Sequence, residues 1–189
     1  PDSVVPSGME SVQSTDTTGQ PLESIRYHEG LDVEIQQLTG TTLGTFLHRC
    51  FEVVGANPDH TAHISDMTGV DLSDSAVSSI AASVRSFEQW ATDRFSAAAV
   101  HRELPLLGMD ENGSVVSGTA DLVLETESGV WIIDHKSDQV EEPELAFNSY
   151  RPQLECYATL LQSMGHTVLG LGINWIRSGE VSLSVQSCR

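Results

Sequence analysis

The chain of 189 residues has only three cysteines, Cys50, Cys156 and Cys188, and they lie far apart. An odd number at that spacing makes neither a disulfide framework nor a four-cysteine zinc or iron–sulfur set. A reduced, intracellular, cytoplasmic protein is therefore expected. No apolar run approaches the ~20 residues that a bilayer span needs, so no membrane partner is expected. The opening Pro1-Asp2-Ser3 has neither an initiator Met nor the basic and apolar stretches of a secretory leader, and reads as the start of a piece of something longer. Positive charge is scarce, with 9 Lys plus Arg against 27 Asp plus Glu, a formal −18. Such a polyanion repels nucleic acid at long range, which argues against unaided DNA binding. Lysine is almost missing altogether: Lys136 is the single one. In a chain that otherwise uses Arg for its positive charge, that position calls for a specific explanation.

What is present suffices for one domain. Hydrophobic residues make up 39% of the chain, enough for a core and too many for wholesale disorder. Residues 1–21 are Ser, Thr, Asp, Pro and Gly with scattered Val, and read as a flexible linker or tail. Helical spacing begins near Thr42, where Leu43, Phe46, Leu47, Cys50 and Val54 recur at three and four, and stops at Gly55 and Asn57-Pro58. Residues 57–70 read as a loop. A second helix is expected over about 73–95, capped by Ser73 or Asp74. The period then falls to two, giving strands over 100–107, 115–125 and 130–136. An acidic loop over 138–144 leads to a third helix over about 150–164, and two final strands cover 168–177 and 181–186. The order predicts an α/β (α+β) fold built on one mixed sheet of about five strands flanked by helices.

The informative segment is Gly118-Thr119-Ala120-Asp121 followed by Asp134-His135-Lys136. Asp134 and Lys136 are two apart on a strand and share a face. A two-residue turn at Glu127-Ser128 places Asp121 opposite Asp134, and a turn one residue later places it opposite Lys136. Either register gathers all three on one face, whereas a three-residue loop without a bulge sends Asp121 to the other. Carboxylates opposed on a sheet lie roughly 5 Å apart at Cβ and repel. A hard divalent cation such as Mg²⁺ or Mn²⁺ turns that repulsion into coordination by oxygen ligands. Lysine beside it steadies developing negative charge, and the cation makes a bound water acidic, which is equipment for phosphodiester hydrolysis. The bland alternative makes Asp134-His135-Lys136 the polar end of a buried strand, since short triplets arise often by chance. Two further pairs count against it: His48 with Glu52, and Gln153 with Tyr157, each at i, i+4 on one helix face.

In order, Gly44-Thr45-Phe46-Leu47-His48, Glu103-Leu104-Pro105-Leu106, Gly118-Thr119-Ala120-Asp121, Asp134-His135-Lys136 and Gln153-Leu154-Glu155-Cys156-Tyr157-Ala158 resemble the RecB-like nucleases of the PD-(D/E)XK superfamily. The resemblance implies a restriction-endonuclease-like core over 22–189. It implies His48, Asp121, Asp134 and the His135 backbone carbonyl as ligands of Mg²⁺ or Mn²⁺, and Lys136 as the catalytic lysine beside Asp121 and Asp134. Gln153 and Tyr157 would support the site and the DNA, and Glu103 matches a recurrent acidic position. It also implies DNA as substrate, a helicase domain or subunit as partner, and a place in double-strand break repair. Many relatives read Gly-Arg-x-Asp and Asp-Tyr-Lys where this chain has Gly118-Thr119-Ala120-Asp121 and Asp134-His135-Lys136. Neither change removes a ligand. Relatives with an iron–sulfur cluster need four bracketing cysteines, so no cluster is expected.

Other signals compete less well. Asp59, His60 and His63 could be offered as part of a zinc site, but no Cys or HExxH frame accompanies them. Trp90, Trp131 and Trp175 fall at core spacing rather than as base-stacking platforms. Gly170-Leu171-Gly172 lacks a phosphate-loop pattern. The alternative function is a catalytically silent nuclease-like module that positions DNA or a partner subunit, which the charge of −18 mildly favours. Intact His48, Asp121, Asp134 and Lys136 speak against it.

Overall fold

A computed structural model describes residues 11–15, 21–31, 38, 40–109 and 114–186. Strands β1 (Ser11–Thr15) and β2 (Pro21–Arg26) come first, then helix α1 (Gly40–Ala56). A 3₁₀ turn (Pro58–His63), a short α2 (Ile64–Thr68) and the long α3 (Asp74–Phe95) follow. Strands β3 (Ala99–Met109), β4 (Val115–Thr126) and β5 (Gly129–Lys136) form a meander, α4 (Pro143–Ser163) crosses over, and β6 (Val168–Trp175) and β7 (Glu180–Val185) close the chain. The sheet among the described residues has seven strands in the order β1-β2-β7-β6-β5-β4-β3. Only β5 and β6 run parallel, and the α4 crossover joins them.

Two cores fill the two faces. On one, Phe46, Leu47, Phe51 and Val54 of α1 and Ile80, Val84, Phe87 and Trp90 of α3 pack on Leu122, Leu124, Ile133 and Leu183. On the other, Phe147, Leu154, Leu160 and Leu161 of α4 cover Val123, Ile132, Leu171, Ile173 and Trp175. Ser73 caps α3, its hydroxyl accepting the Ala76 N–H at 3.2 Å. Trp90 and Trp175 are buried within these cores and Trp131 packs against the first. No helix among the described residues is long and apolar enough to cross a membrane.

The observed elements differ from the expected ones in three places. The sheet gains β1 and β2. Ser11–Thr15, within the stretch read as a tail, pairs along β2 although four of its five residues are exposed. An exposed edge strand buries no stripe, so periodicity has nothing to detect. Residues 1–10 and 16–20 lie outside the described residues. The loop over 57–70 contains the 3₁₀ turn and α2. Helix α4 starts at Pro143, seven residues before its expected start, and runs through Pro152. Pro143 takes the first-turn position where a missing N–H costs nothing, and Pro152 withholds one ladder bond inside the helix.

Candidate active site

The site lies where β4 and β5 part. Their pairing runs Thr126↔Gly129 to Leu122↔Ile133, which is the register of a two-residue Glu127-Ser128 turn. Gly129 follows it at φ +151, where an added Cβ would stand 2.2 Å from the Thr167 carbonyl oxygen, so glycine is required. Beyond Leu122 the ladder stops, and the Asp121 carboxylate accepts the His135 N–H at 2.7 Å, acting as the strand's hydrogen-bonding partner.

At the same level β3 and β4 change phase together. Leu104 and Ala120 pair and belong to the α4 core, whereas Arg102 and Leu122 pair on the α1/α3 side. There Arg102 donates to Glu88 of α3 at 2.6 Å. Between these pairs stand Glu103 and Asp121. Glu103 takes φ +48, a left-handed conformation that costs a non-glycine residue roughly 1–2 kcal/mol and that clusters at functional sites. The phase change corrects the expectation of one shared face. Asp121 turns towards α1, its Oδ2 lying 3.6 Å from His48 Nδ1. Asp134 and Lys136 face α4.

On that α4 side, Asp134 is only 2% exposed. The Lys136 ammonium stands 2.5 Å from Asp134 Oδ2, an ion pair without a well-directed hydrogen bond. Gln153 bridges the two: its Oε1 is 3.5 Å from Lys136 Nζ and its Nε2 is 3.4 Å from Asp134 Oδ1. The same Nε2 donates to the Tyr157 hydroxyl at 2.8 Å. Tyr157 reaches the site across Gly118, where an added Cβ would meet its ring at 2.6 Å. The Lys136 ammonium also lies 4.6 Å from the Tyr150 ring centre, and Tyr150 donates to Asp138 at 2.5 Å. Tyr150 shares a helix face with Gln153 and Tyr157 at i, i+3 and i+7, a stripe that the sequence displays but that residue type alone does not mark as functional.

The α1 side forms an open cleft of about 440 Å³ lined by His48, Arg49, Glu52, Glu103, Asp121 and Ser137 among others. Gly44 permits the approach, since a Cβ there would stand 2.8 Å from Ser137 Oγ. Glu52, paired with Arg49, is thus a cleft residue that the reading had placed only as a partner of His48 on the helix.

Burial and neighbouring charge shift several groups of the site. Burial and the Asp134 charge push Asp121 up to about 7, against the His135 N–H, which lowers it. Burial lowers His48, opposed by Asp134 and by a hydrogen bond to the His135 backbone. Burial drives His135 down to about 3. Burial, then Glu52, raises Glu103. A carboxyl that holds its proton near neutrality, a buried Asp134 with one cationic partner and an imidazole kept neutral are the donors a divalent cation accepts. The residue types fit, although no group of three or more His, Cys, Asp or Glu is gathered tightly enough to hold a metal among the described residues. Asp59, His60 and His63 sit on the 3₁₀ turn, where His63 lies 3.8 Å from Asp66. Cys50 and Cys156 are free thiols, and Cys188 lies outside the described residues.

The sequence model of the PD-(D/E)XK nuclease superfamily matches residues 24–185, from within β2 to the end of β7. No curated protein matches the chain.

Proposed function

The chain belongs to the PD-(D/E)XK nuclease superfamily, and from that premise we propose that it is a divalent-metal-dependent deoxyribonuclease of the RecB-like type, with 22–189 as its catalytic domain. Asp121, Asp134, His48 and the His135 backbone carbonyl would hold Mg²⁺ or Mn²⁺. When bound, the cation would polarise the scissile phosphate and supply a water acidic enough to ionise near neutral pH. Lys136, held beside Asp134, would steady the negative charge that builds on the phosphoryl oxygens. Gln153 orients both Lys136 and Asp134 and is itself anchored by Tyr157. The observation that carries the reading is the placement of the chain's one lysine against a buried Asp134, beside the strand fork that Asp121 bridges.

Charge supports a division of labour. Arg26, Arg49, Arg94 and Arg102 are each paired with a glutamate, so the charge of half of the eight arginines is already compensated within the fold. Delivery of DNA by a helicase domain or subunit, exonucleolytic action at ends and a role in double-strand break repair follow as parts of the proposal, as does a cytoplasmic, nucleoid-associated location.

Linear single- and double-stranded DNA incubated with the protein and Mn²⁺ or Mg²⁺ tests it. Cleavage abolished in both Asp134→Ala and Lys136→Ala is the expected result. Equal cleavage in wild type and variants refutes the site. No cleavage, together with calorimetric Mn²⁺ binding that Asp134→Ala removes, favours a nuclease that depends on its helicase. Absence of both cleavage and Mn²⁺ binding favours the silent positioning module.

A further inference from the structure

Strand β6 is apolar except at one position. Asn174, 0% exposed, sits between Ile173 and Trp175 and pairs in parallel register with His135 of β5. A buried amide must find partners at both ends or cost a few kcal/mol. Asn174 finds them: Oδ1 accepts the Tyr27 hydroxyl at 2.8 Å, and Nδ2 donates to His135 Nδ1 at 2.9 Å. In this arrangement His135 accepts at Nδ1 and carries its proton on Nε2.

Apart from Asn174, nothing in the packing asks for a polar ring at 135. The imidazole lies 5.2 Å from both the Phe51 and Phe87 ring centres, a socket that phenylalanine would fill without any partner. Tyr27 is equally held, by Phe87 and Trp90 on its ring and by the Gly179 carbonyl on its N–H. What distinguishes position 135 is its backbone. Its N–H holds Asp121 and its backbone is the hydrogen-bonding partner of His48. The first contact uses the N–H and the second the carbonyl, which belong to the two peptides flanking the His135 Cα, so a change in the backbone torsions of this one residue would move both side chains in the cleft.

We propose that Asn174 is a positioning residue: anchored by Tyr27, it fixes the His135 ring and so sets the backbone torsions at His135 that align Asp121 and His48. The assignment of those two as metal ligands rests on the function proposed above, but the relay itself can be tested without metal. Asn174→Leu removes both amide hydrogen bonds at similar size, and Tyr27→Phe removes the outer one only. Imidazole ¹⁵N NMR of the metal-free protein should show one Nε2–H tautomer at His135 in the wild type and a mixture in Asn174→Leu. Amide exchange at His135 should accelerate at least tenfold in the same variant. Tyr27→Phe should shift both readouts in the same direction by less, and decides the matter if Asn174→Leu does not fold. Mn²⁺ affinity should fall about 10- to 100-fold in Asn174→Leu, the usual effect of losing support behind a metal ligand. In a His135→Phe background the same substitution should change affinity no further.

An unchanged tautomer and unchanged exchange in Asn174→Leu overturn the proposal, as does a variant that melts earlier yet binds Mn²⁺ like the wild type. If the wild type binds no Mn²⁺, the metal reading fails while tautomer and exchange still decide the relay.

Discussion

Gly118→Ala should disable the site by displacing Tyr157 on the α4 side of the sheet. The added methyl would stand 2.6 Å from Tyr157 Cε1, 3.3 Å from its hydroxyl and 3.4 Å from Cζ. Carbon pairs pack best at roughly 3.5–4.0 Å, so the ring must retreat by about 1 Å. Tyr157 is buried on α4 among Leu154, Leu161 and Ala158, with little room to move. Overpacking of this kind costs about 1–3 kcal/mol, and loss of the Gln153–Tyr157 hydrogen bond about 1 more, giving roughly 2–4 kcal/mol in all. Gln153 contacts Lys136 and Asp134 at 3.5 and 3.4 Å, whereas its bond to Tyr157 is 2.8 Å. The tyrosine is therefore its firmest anchor, and cleavage should fall roughly tenfold beyond what the folded fraction explains. Urea denaturation reads the stability, and a cycle with Tyr157→Ala isolates the cause. Once the ring is gone the extra methyl meets no obstacle, so coupling of at least about 1 kcal/mol is expected. Equal cost of Gly118→Ala in both backgrounds refutes the reasoning.

The pH dependence of stability should contain two opposed slopes. Burial holds His135 at about 3, so as pH falls below ~6.5 the unfolded chain gains a proton that the folded one refuses, costing about 1.4 kcal/mol per unit. Asp121, held at about 7, does the reverse: its folded form keeps a proton that the unfolded chain releases above ~4, so stability falls as pH rises towards ~7. The metal-free wild type should be nearly flat from about pH 4 to 6.5, Asp121→Asn should slope upward there and His135→Phe downward; three parallel curves contradict the assignment. Mn²⁺ at a hundred times its Kd should raise stability by about 2.7 kcal/mol, reversed by chelation and absent in Asp134→Asn. A chelator-insensitive melting temperature counts against binding at Asp134.

What the sequence discloses is what local chemistry controls. The α1 and α3 stripes and the β3–β4–β5 meander follow from period and turn residues, and of the two registers that the turn residues allowed for Asp121 the structure adopts that of the Glu127-Ser128 turn. The phase change at Glu103 does not follow, because glutamate has no preference for the left-handed conformation it adopts there. Strict alternation therefore placed Asp121 on one face with Asp134 and Lys136, when its contacts are with His48 and the His135 N–H. Strand β1 stayed hidden because it buries no face, and the start of α4 because a second proline sits in the helix interior. Asn174 was visible as a polar residue in an apolar strand, but its partner His135 lies 39 residues away across a parallel pair. That register is set by the α4 crossover, and no local signal encodes it.

The single lysine now has a physical explanation that an arginine should fail to meet. Lys136 brings a compact charge to Asp134 Oδ2 alone, leaving Oδ1 to the Gln153 amide and to a cation. An arginine at this position presents a planar fork that pairs with both carboxylate oxygens at once. The pocket can stack such a plane, since the ammonium already lies over the Tyr150 ring. Lys136→Arg should therefore fold at least as stably as the wild type in the absence of metal, because Asp134 keeps a cationic partner at 3% side-chain exposure. Its Mn²⁺ affinity should nonetheless fall at least tenfold, and cleavage with it, since the guanidinium occupies the oxygen that the metal requires. Lys136→Met should behave differently. It strands a buried carboxylate, at a cost of about 3–5 kcal/mol, and Mn²⁺ should restore part of that loss. Retention of wild-type Mn²⁺ affinity in Lys136→Arg would show that Asp134 has oxygen to spare and that charge alone, not the shape of lysine, is needed beside it.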